Sequence, residues 1–137
     1  MEASSAARRA PPRKLIVIID DDRLVLEATG GLLRSWGLKV ITAGCHAEAM
    51  AQLANHGQRP DLIVCDYRLS EGAVGTDVIQ RLRSAFEIPA LLISGDPKSC
   101  QTHADAGAYH LLNKPVNPEA LRTALIHASV LPWQRGD

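Results

Sequence analysis

Polar side chains that could carry chemistry occur in four short groups, each directly after an apolar run. The groups are residues 20–22 (DDD), Asp66, residues 94–96 (SGD) and residues 113–115 (NKP). Clustered carboxylates repel one another, and a hard cation such as Mg²⁺ relieves the repulsion because it prefers oxygen ligands. A carboxylate can also attack phosphorus, if a cation, a lysine and hydrogen-bond donors balance the phosphoryl charge. Phosphoryl chemistry therefore becomes feasible if folding gathers these groups.

The apolar runs themselves predict the elements that would gather them. Five runs read as strands, namely residues 15–19, 38–43, 62–65, 90–93 and 109–112. The wholly apolar run at 15–19 is typical of a strand covered on both faces, and the run at 62–65 also reads as buried. Helical spacing of apolar residues predicts five helices, at about 25–36, 46–56, about 78–86, 97–106 and from residue 118 onward. Gly37 is predicted to end the first helix, and the last helix is predicted to begin at Pro118 with Asn117 as its N-cap.

This alternation predicts an α/β fold with a doubly wound, five-stranded parallel sheet. In such a sheet the carboxyl ends of the strands share one edge, and ligands bind there. The four polar groups should meet at that edge. Asp22 directly precedes the first helix, so the simpler interpretation is that it caps this helix. A loop follows Asp66 before any helix begins, so capping does not explain Asp66.

From residue 15 to about residue 128 the sequence resembles the receiver domain of response regulators in two-component signalling. The matching pieces are residues 18–22 (IIDDD), 62–69 (LIVCDYRL), 91–96 (LLISGD) and 112–115 (LNKP). The resemblance implies the flavodoxin-like (βα)₅ fold with strand order 2-1-3-4-5. It also implies a function: the domain takes a phosphoryl group from a histidine kinase or a histidine phosphotransfer protein and changes conformation to signal.

The same resemblance assigns the cofactor and its ligands. Asp66 would be the phosphoacceptor, and Mg²⁺ would be the cofactor. Asp21 would bind the ion directly, Asp20 would bind it largely through water, and the backbone carbonyl of Arg68 would complete the protein ligands.

Two further residues take their roles from the resemblance. Ser94 would donate a hydrogen bond to the phosphoryl group, and Lys114 would pair with it. The chain departs from the family at Leu111, where an aromatic residue is frequent, so the resemblance does not imply a rotating aromatic side chain. A degenerate receiver that serves only for docking would lack the acceptor or the lysine, and both are present.

Composition predicts a single domain and limits its partners. Nearly half of the 137 residues are apolar, enough for one core. We expect a flexible N-terminal tail or linker at 1–14, a receiver domain at 15–129 and a C-terminal tail at 130–137.

The formal net charge is zero, and the first fourteen residues hold four basic side chains against one acidic one, so the body is mildly acidic. Direct nucleic-acid binding is not expected from an acidic body.

Cysteine usage and hydropathy indicate the compartment. The three cysteines are widely spaced and odd in number, which fits neither a disulfide framework nor a zinc motif and indicates a reducing cytosol. The sequence contains neither a signal peptide nor an apolar run long enough for a membrane span. The predicted localisation is cytoplasmic, and a second copy of the chain in a weak homodimer is a further candidate partner.

Alternatives remain for the parent protein and for the activity. Residues 66–69 and 111–118 look most similar to C-terminal receivers of hybrid sensor histidine kinases, whereas a stand-alone single-domain regulator is the other option. In either case the domain would label itself and dephosphorylate itself, and would not act as an enzyme on other substrates. A remote alternative is a haloacid-dehalogenase-type phosphatase with its nucleophile in residues 20–22, but such enzymes need a further acidic pair after the lysine, where only Glu119 and Asp137 are available.

Overall fold

A computed structural model describes residues 13–67, 75–95, 110–114, 116–128 and 130. The elements in this part of the chain are β1 (Leu15–Ile19), α1 (Arg23–Ser35), β2 (Lys39–Ala43), α2 (His46–His56), β3 (Leu62–Asp66), α3 (Gly75–Phe86), β4 (Ala90–Ser94), β5 (His110–Asn113) and α4 (Pro118–His127). The predicted helix at 97–106 lies outside the described residues, as do Arg68 and Tyr109.

The five strands form one parallel sheet in the order β2-β1-β3-β4-β5. This confirms the predicted parallel sheet and its strand order. Strands β1 and β3 lie side by side near the centre, and the chain reverses its direction of winding between them. Because all strands run the same way, their carboxyl ends share one edge of the sheet.

The sheet is covered on both faces, as the apolar strand sequences predicted. Alternate side chains of the central strands enter two separate clusters. One cluster includes Ala49 and Leu53 of α2 and Leu82 of α3, and the other includes Leu33 of α1 and Leu125 of α4. Each fully buried leucine or isoleucine contributes roughly 1.5–3 kcal/mol to the hydrophobic term. The central strands are therefore held firmly from both sides.

The end of α1 explains one difference from the predicted elements. The N–H of Gly37 donates to the carbonyl of Arg34 at 2.9 Å, and the N–H of Leu38 donates to the carbonyl of Leu33 at 3.2 Å. This pair of bonds is the Schellman motif, with Gly37 at a φ of 91°. Leu38 was predicted as the first residue of the second strand; it belongs instead to the helix cap, and β2 begins one residue later.

Three other strands extend one residue further than predicted. Strand β3 ends at Asp66, β4 ends at Ser94 and β5 ends at Asn113. Asp66 pairs in register with Ile93, and Ser94 pairs with Asn113. Backbone ladder bonds do not depend on side-chain polarity, so the ladder continues through residues that the apolar pattern placed outside it.

Strand β2 forms one edge of the sheet, and helix side chains cover its outer side. The N–H of Lys39 donates to the carbonyl of Lys14, and the carbonyl of Ala43 accepts from the N–H of Asp20, so these two residues direct their backbone groups toward the β1 side. Because the direction alternates along a strand, the backbone carbonyls of Val40 and Thr42 face away from the sheet. The carbonyl of Thr42 accepts a bond from Gln52 Nε2 at 2.7 Å, and that of Val40 accepts one from Arg34 Nη2 at 3.4 Å. Both outward carbonyls of the edge strand therefore have partners from neighbouring helices.

No helix in the described ranges combines the length and the apolar content needed to cross a membrane.

Candidate functional site

The structure brings together the predicted side chains at the carboxyl edge of the sheet. Asp20 directly follows β1, Asp66 ends β3, Ser94 ends β4 and Lys114 directly follows β5. Asp20, Asp66 and Ser94 are buried, with 4%, 7% and 3% of their surface exposed. Asp21 is exposed. Topology thus places at one edge of the sheet those predicted residues that the structure describes.

Backbone bonds fix the positions of these residues on the sheet. The N–H of Asp20 donates to the carbonyl of Ala43 at 3.1 Å, and the N–H of Lys114 donates to the carbonyl of Ser94 at 2.8 Å. Directly after Asp66, the N–H of Tyr67 donates to the carbonyl of Ile93 at 2.8 Å. The ladder thus continues slightly past the strand ends and carries the functional side chains with it.

Three carboxylates form a cluster that could hold a cation. Asp20, Asp21 and Asp66 each offer one oxygen, and these oxygens lie within 4.8 Å of one another. All three donors are hard oxygens, and the exposed Asp21 leaves one side open to water, as Mg²⁺ requires because it keeps several waters. The donor set therefore fits Mg²⁺. The carbonyl of Arg68, the fourth expected ligand, lies outside the described residues.

Lys114 places a positive charge beside the carboxylates of the site. Its Nζ lies 3.1 Å from Oδ2 of Asp66 and 3.9 Å from Oδ2 of Asp20. The lysine side chain is 35% exposed, whereas the two carboxylates are nearly covered. One ammonium thus faces two buried carboxylates and offsets only part of their charge.

Burial and the neighbouring carboxylates both raise the pKa of Asp20. Burial raises the pKa of Asp20 from 3.8 to about 6, and the neighbouring Asp66 and Asp21 add to the rise. A hydrogen bond from the backbone N–H of Asp22 and the charge of Lys114 act in the opposite direction and lower this pKa. Desolvation is the largest cause, because a buried carboxylate loses the water that stabilises its charge.

Asp22 caps α1, as predicted. Its Oδ1 accepts bonds from the backbone N–H groups of Leu24 at 2.9 Å and Val25 at 3.4 Å. The sequence did not reveal a second contact, in which the N–H of Asp22 donates to Oδ1 of Asp20 at 2.9 Å. The run of acidic residues was the signal for the cluster, but it gave no indication of how the cap and the cluster are joined.

Cys65, next to the predicted acceptor, was not singled out from the sequence. Its thiol is buried and lies 3.4 Å from the carbonyl oxygen of Asp66. Burial raises the pKa of the Cys65 thiol, and the charges of Asp66 and Asp20 raise it further. The thiol therefore stays protonated and acts as a small apolar group beside the site.

Both the sequence and the structure are similar to those of known proteins. The family model of the response regulator receiver domain matches residues 16–126. The phyllosphere-induced regulator PhyR of Methylorubrum extorquens is 27% identical over 97 residues, which are 71% of this chain and 36% of that protein. The chain thus spans about a third of the length of this curated relative.

Solved structures show the same fold. The response regulator REC domain of PhyR from Erythrobacter litoralis has a TM-score of 0.74 at 25% identity, covering 91% of this chain and 95% of that one. Chemotaxis protein CheY4 of Vibrio cholerae has a TM-score of 0.74 at 25% identity, covering 85% and 99%. A receiver domain from Clostridium thermocellum, at 23% identity, has a TM-score of 0.73 over 84% and 93% of the two chains. These likenesses confirm the flavodoxin-like fold, and the family match over residues 16–126 shows that the chain belongs to the response regulator receiver domain family of two-component signalling.

Proposed function

We propose that this domain accepts a phosphoryl group on Asp66 from a phosphohistidine and does so with Mg²⁺. The observation that carries the proposal is the setting of Asp66. Its carboxylate ends a central strand, lies 3.1 Å from the Lys114 ammonium and shares a cluster with two further carboxylates. Asp20, Asp21 and Asp66 would hold the ion, together with the backbone carbonyl of Arg68, a role that rests on the family resemblance.

The residues of the site fit the steps of such a transfer. A bond would form between a carboxylate oxygen of Asp66 and phosphorus, while the bond between phosphorus and the donor imidazole nitrogen breaks and leaves its electron pair on that nitrogen. Lys114 would move with the negative charge from the carboxylate to the phosphoryl oxygens, and the Ser94 hydroxyl would donate a hydrogen bond to one of them. When bound, Mg²⁺ supplies positive charge that offsets the negative charge on the same phosphoryl oxygens.

The acyl phosphate formed would be hydrolysed at the same site, so the domain would also dephosphorylate itself. Ser94 would reposition on phosphorylation and thereby switch the conformation that partners recognise. The predicted helix at 97–106 would take up that change because it follows Ser94 closely in the chain, and it lies outside the described residues. Cytoplasmic location is part of the proposal, and the free thiols of Cys45 and Cys65 support a reducing compartment.

Two parents are proposed for the domain. The likeness of residues 66–69 and 111–118 to receivers of hybrid kinases supports a hybrid histidine kinase. The similarity to regulators such as PhyR and CheY4 supports a response regulator instead. The donor would be a histidine kinase or a histidine phosphotransfer protein in either case. Genomic sequence on both sides of the region that encodes this chain would decide between the parents, because a hybrid kinase would have its kinase core upstream in the same reading frame.

Labelling by a small phosphodonor tests the proposed chemistry. The wild-type protein should acquire phosphate from acetyl phosphate and Mg²⁺, seen as reduced mobility on a phosphate-affinity gel. Asp66→Asn should abolish the labelling. The matched control is Asp61→Asn at the opposite end of the same strand, which should label normally. Undiminished labelling of Asp66→Asn would refute the proposal, and labelling mapped to Asp20 would favour the phosphatase alternative.

A further inference from the structure

Asp22 is anchored to the first turn of α1 by three bonds. Its Oδ1 accepts from the N–H groups of Leu24 and Val25 at 2.9 and 3.4 Å, and its backbone carbonyl accepts from the N–H of Leu26 at 3.0 Å. Leu26 is itself buried in the core. The position of Asp22 is therefore set by the packed helix.

The backbone N–H of the same residue reaches the carboxylate cluster. It donates to Oδ1 of Asp20 at 2.9 Å, while the other oxygen of Asp20, Oδ2, lies 3.9 Å from Lys114 Nζ. The backbone of Asp20 is tied to the sheet by its bond to Ala43. The bond from Asp22 thus selects the orientation of the Asp20 carboxylate on a fixed backbone.

The cap and the orienting bond depend on each other. An N-cap residue adopts an extended conformation, and Asp22 does so with φ of −95° and ψ of 111°. Its side-chain bonds hold that conformation, because without them the first N–H groups of the helix lose their acceptor and the turn frays. Fraying would release the N–H of Asp22 from Asp20, although the buried part of α1 would stay in place.

We propose that Asp22 is a positioning residue for the cation site. By capping α1 it holds its own N–H against Asp20, and this sets the affinity of the cluster for Mg²⁺. The inference rests on the proposed function, since it takes Mg²⁺ as the ion that the cluster binds. The side chain acts through its cap and needs no contact with the ion.

A competing explanation is that Asp22 attracts the ion through its negative charge. Substitutions at this position separate the two effects, because asparagine and serine cap helices about as well as aspartate but carry no charge, whereas alanine caps poorly. The capping role requires that Asp22→Asn and Asp22→Ser keep the Mg²⁺ affinity. The charge role requires that both lose it together with Asp22→Ala.

The experiment is a titration of the folded domain with Mg²⁺ alone, followed by amide chemical shifts. Asp22→Ala should bind about tenfold more weakly than wild type, at the low end of the loss seen when a group that holds a metal ligand is removed. Asp22→Asn and Asp22→Ser should bind within about twofold of wild type, as their similar capping strength implies. In the metal-free protein, the amide proton of residue 22 should exchange faster in Asp22→Ala than in Asp22→Asn.

The chain offers a matched control at another helix. Asn117 caps α4 in the same way, with its Oδ1 accepting from the N–H groups of Glu119 at 2.7 Å and Ala120 at 3.2 Å. Asn117→Ala should therefore lower stability about as much as Asp22→Ala does, but it should leave the Mg²⁺ affinity unchanged. This control separates loss of a cap in general from loss of the cap that is bonded to Asp20.

Four results would overturn the proposal: an unchanged affinity in Asp22→Ala, an equal loss in Asp22→Asn, an equal loss in Asn117→Ala, or retained protection of the residue 22 amide in Asp22→Ala. If Asp22→Ala does not fold, the titrations of all variants are repeated in a stabilising osmolyte such as sucrose, which favours the folded state. A wild-type protein that binds no Mg²⁺ would refute the metal part of the proposed function and the inference with it, and it is recognised from the wild type alone.

Discussion

The two edges of the sheet use carboxylates in opposite ways. At the amino edge, Asp61 binds the backbone of β1: its Oδ2 accepts from the N–H of Leu15 at 2.8 Å, and its own N–H donates to the Leu15 carbonyl at 2.7 Å. At the carboxyl edge, Asp20, Asp21 and Asp66 are crowded together. The first arrangement joins two strands, whereas the second concentrates negative charge in a partly buried place.

The difference indicates that the carboxylate cluster lowers the stability of the fold. A buried carboxylate is tolerated when it is neutral, paired or bound to a cation, and the raised pKa of Asp20 indicates that the charge of Lys114 does not fully offset the cost of burial. The bonds of Asp61 at the amino edge should stabilise the protein with or without a cation. The carboxyl edge should stabilise the protein only when protons or a cation are present.

The largest effect should follow from neutralising Asp20 in the metal-free protein. The folded pKa of about 6 lies above the ordinary value of 3.8. The stabilising contribution of protonated Asp20 is therefore complete below about pH 4 and is lost as pH rises through 6, a change of about 3 kcal/mol. Asp20→Asn should lack this loss and unfold near neutral pH at a higher urea concentration than wild type.

Urea unfolding across the acidic range, with a chelator present, measures this difference. Asp61→Asn is the control: it keeps an acceptor for Leu15 and should follow the wild-type pH profile. A wild-type profile parallel to that of Asp20→Asn between pH 4 and pH 7 would show that burial of this charge costs the fold nothing.

The next largest effect concerns cation binding. Mg²⁺ at about a hundred times its dissociation constant should stabilise the wild-type protein by about 2.7 kcal/mol through mass action. Asp21→Ala should remove most of that gain, whereas Asp61→Ala should keep it despite its own lower stability. Melting temperature as a function of Mg²⁺ concentration reports both. A wild-type melting temperature indifferent to millimolar Mg²⁺ would argue against a shared site.

A smaller effect is expected from the lysine. Lys114→Met should raise the pKa of Asp20 further, because it removes an ammonium 3.9 Å from that carboxylate. Lys39 at the amino edge bonds Gln58 at 3.1 Å, so Lys39→Met should leave the pKa of Asp20 unchanged. Carboxyl carbon chemical shifts followed against pH measure the value directly. An equal change in the pKa of Asp20 in both variants would mean that the net charge of the protein, and not the nearby Lys114 ammonium, sets this pKa.

The smallest effect should come from the amino edge itself. Asp61→Ala leaves the N–H of Leu15 without its side-chain acceptor and should lower the free energy of unfolding by about 1 kcal/mol, with or without Mg²⁺. Asp61→Asn should lose much less, because the amide oxygen can accept the same bond. Urea unfolding decides this; a loss that Mg²⁺ restores would link the two edges and contradict the contrast.

Much of this architecture was predictable because it depends on patterns that sequence displays directly. Apolar runs identified the strands, and a parallel topology then required Asp20, Asp66 and Ser94 to share an edge. Helix ends at Gly37 and Asn117 followed from local backbone chemistry. The order of the strands came from the family resemblance, since the pattern of apolar residues alone does not specify which strands are neighbours.

The remaining features depend on three-dimensional geometry that a pattern does not contain. Strand ends were displaced by one residue because the ladder runs through polar Asp66, and Leu38 was assigned to a strand although it closes the cap of α1. The bond between Asp22 and Asp20 requires one particular turn between adjacent acids. The roles of Asp20, Asp21, Ser94, Lys114 and Arg68 in phosphoryl transfer, and the domain limits, remain predictions.

The covered edge of β2 has a consequence for association between molecules. An added strand from another chain would need the outward carbonyls of Val40 and Thr42 as acceptors, and these already accept bonds from Arg34 and Gln52. An incoming strand must therefore displace two intramolecular donors before it gains its first ladder bonds. Uncovered edges are a common starting point for aggregation. In this protein, α1 and α2 pack on opposite faces of the sheet, and their side chains Arg34 and Gln52 also oppose the addition of a further strand at β2.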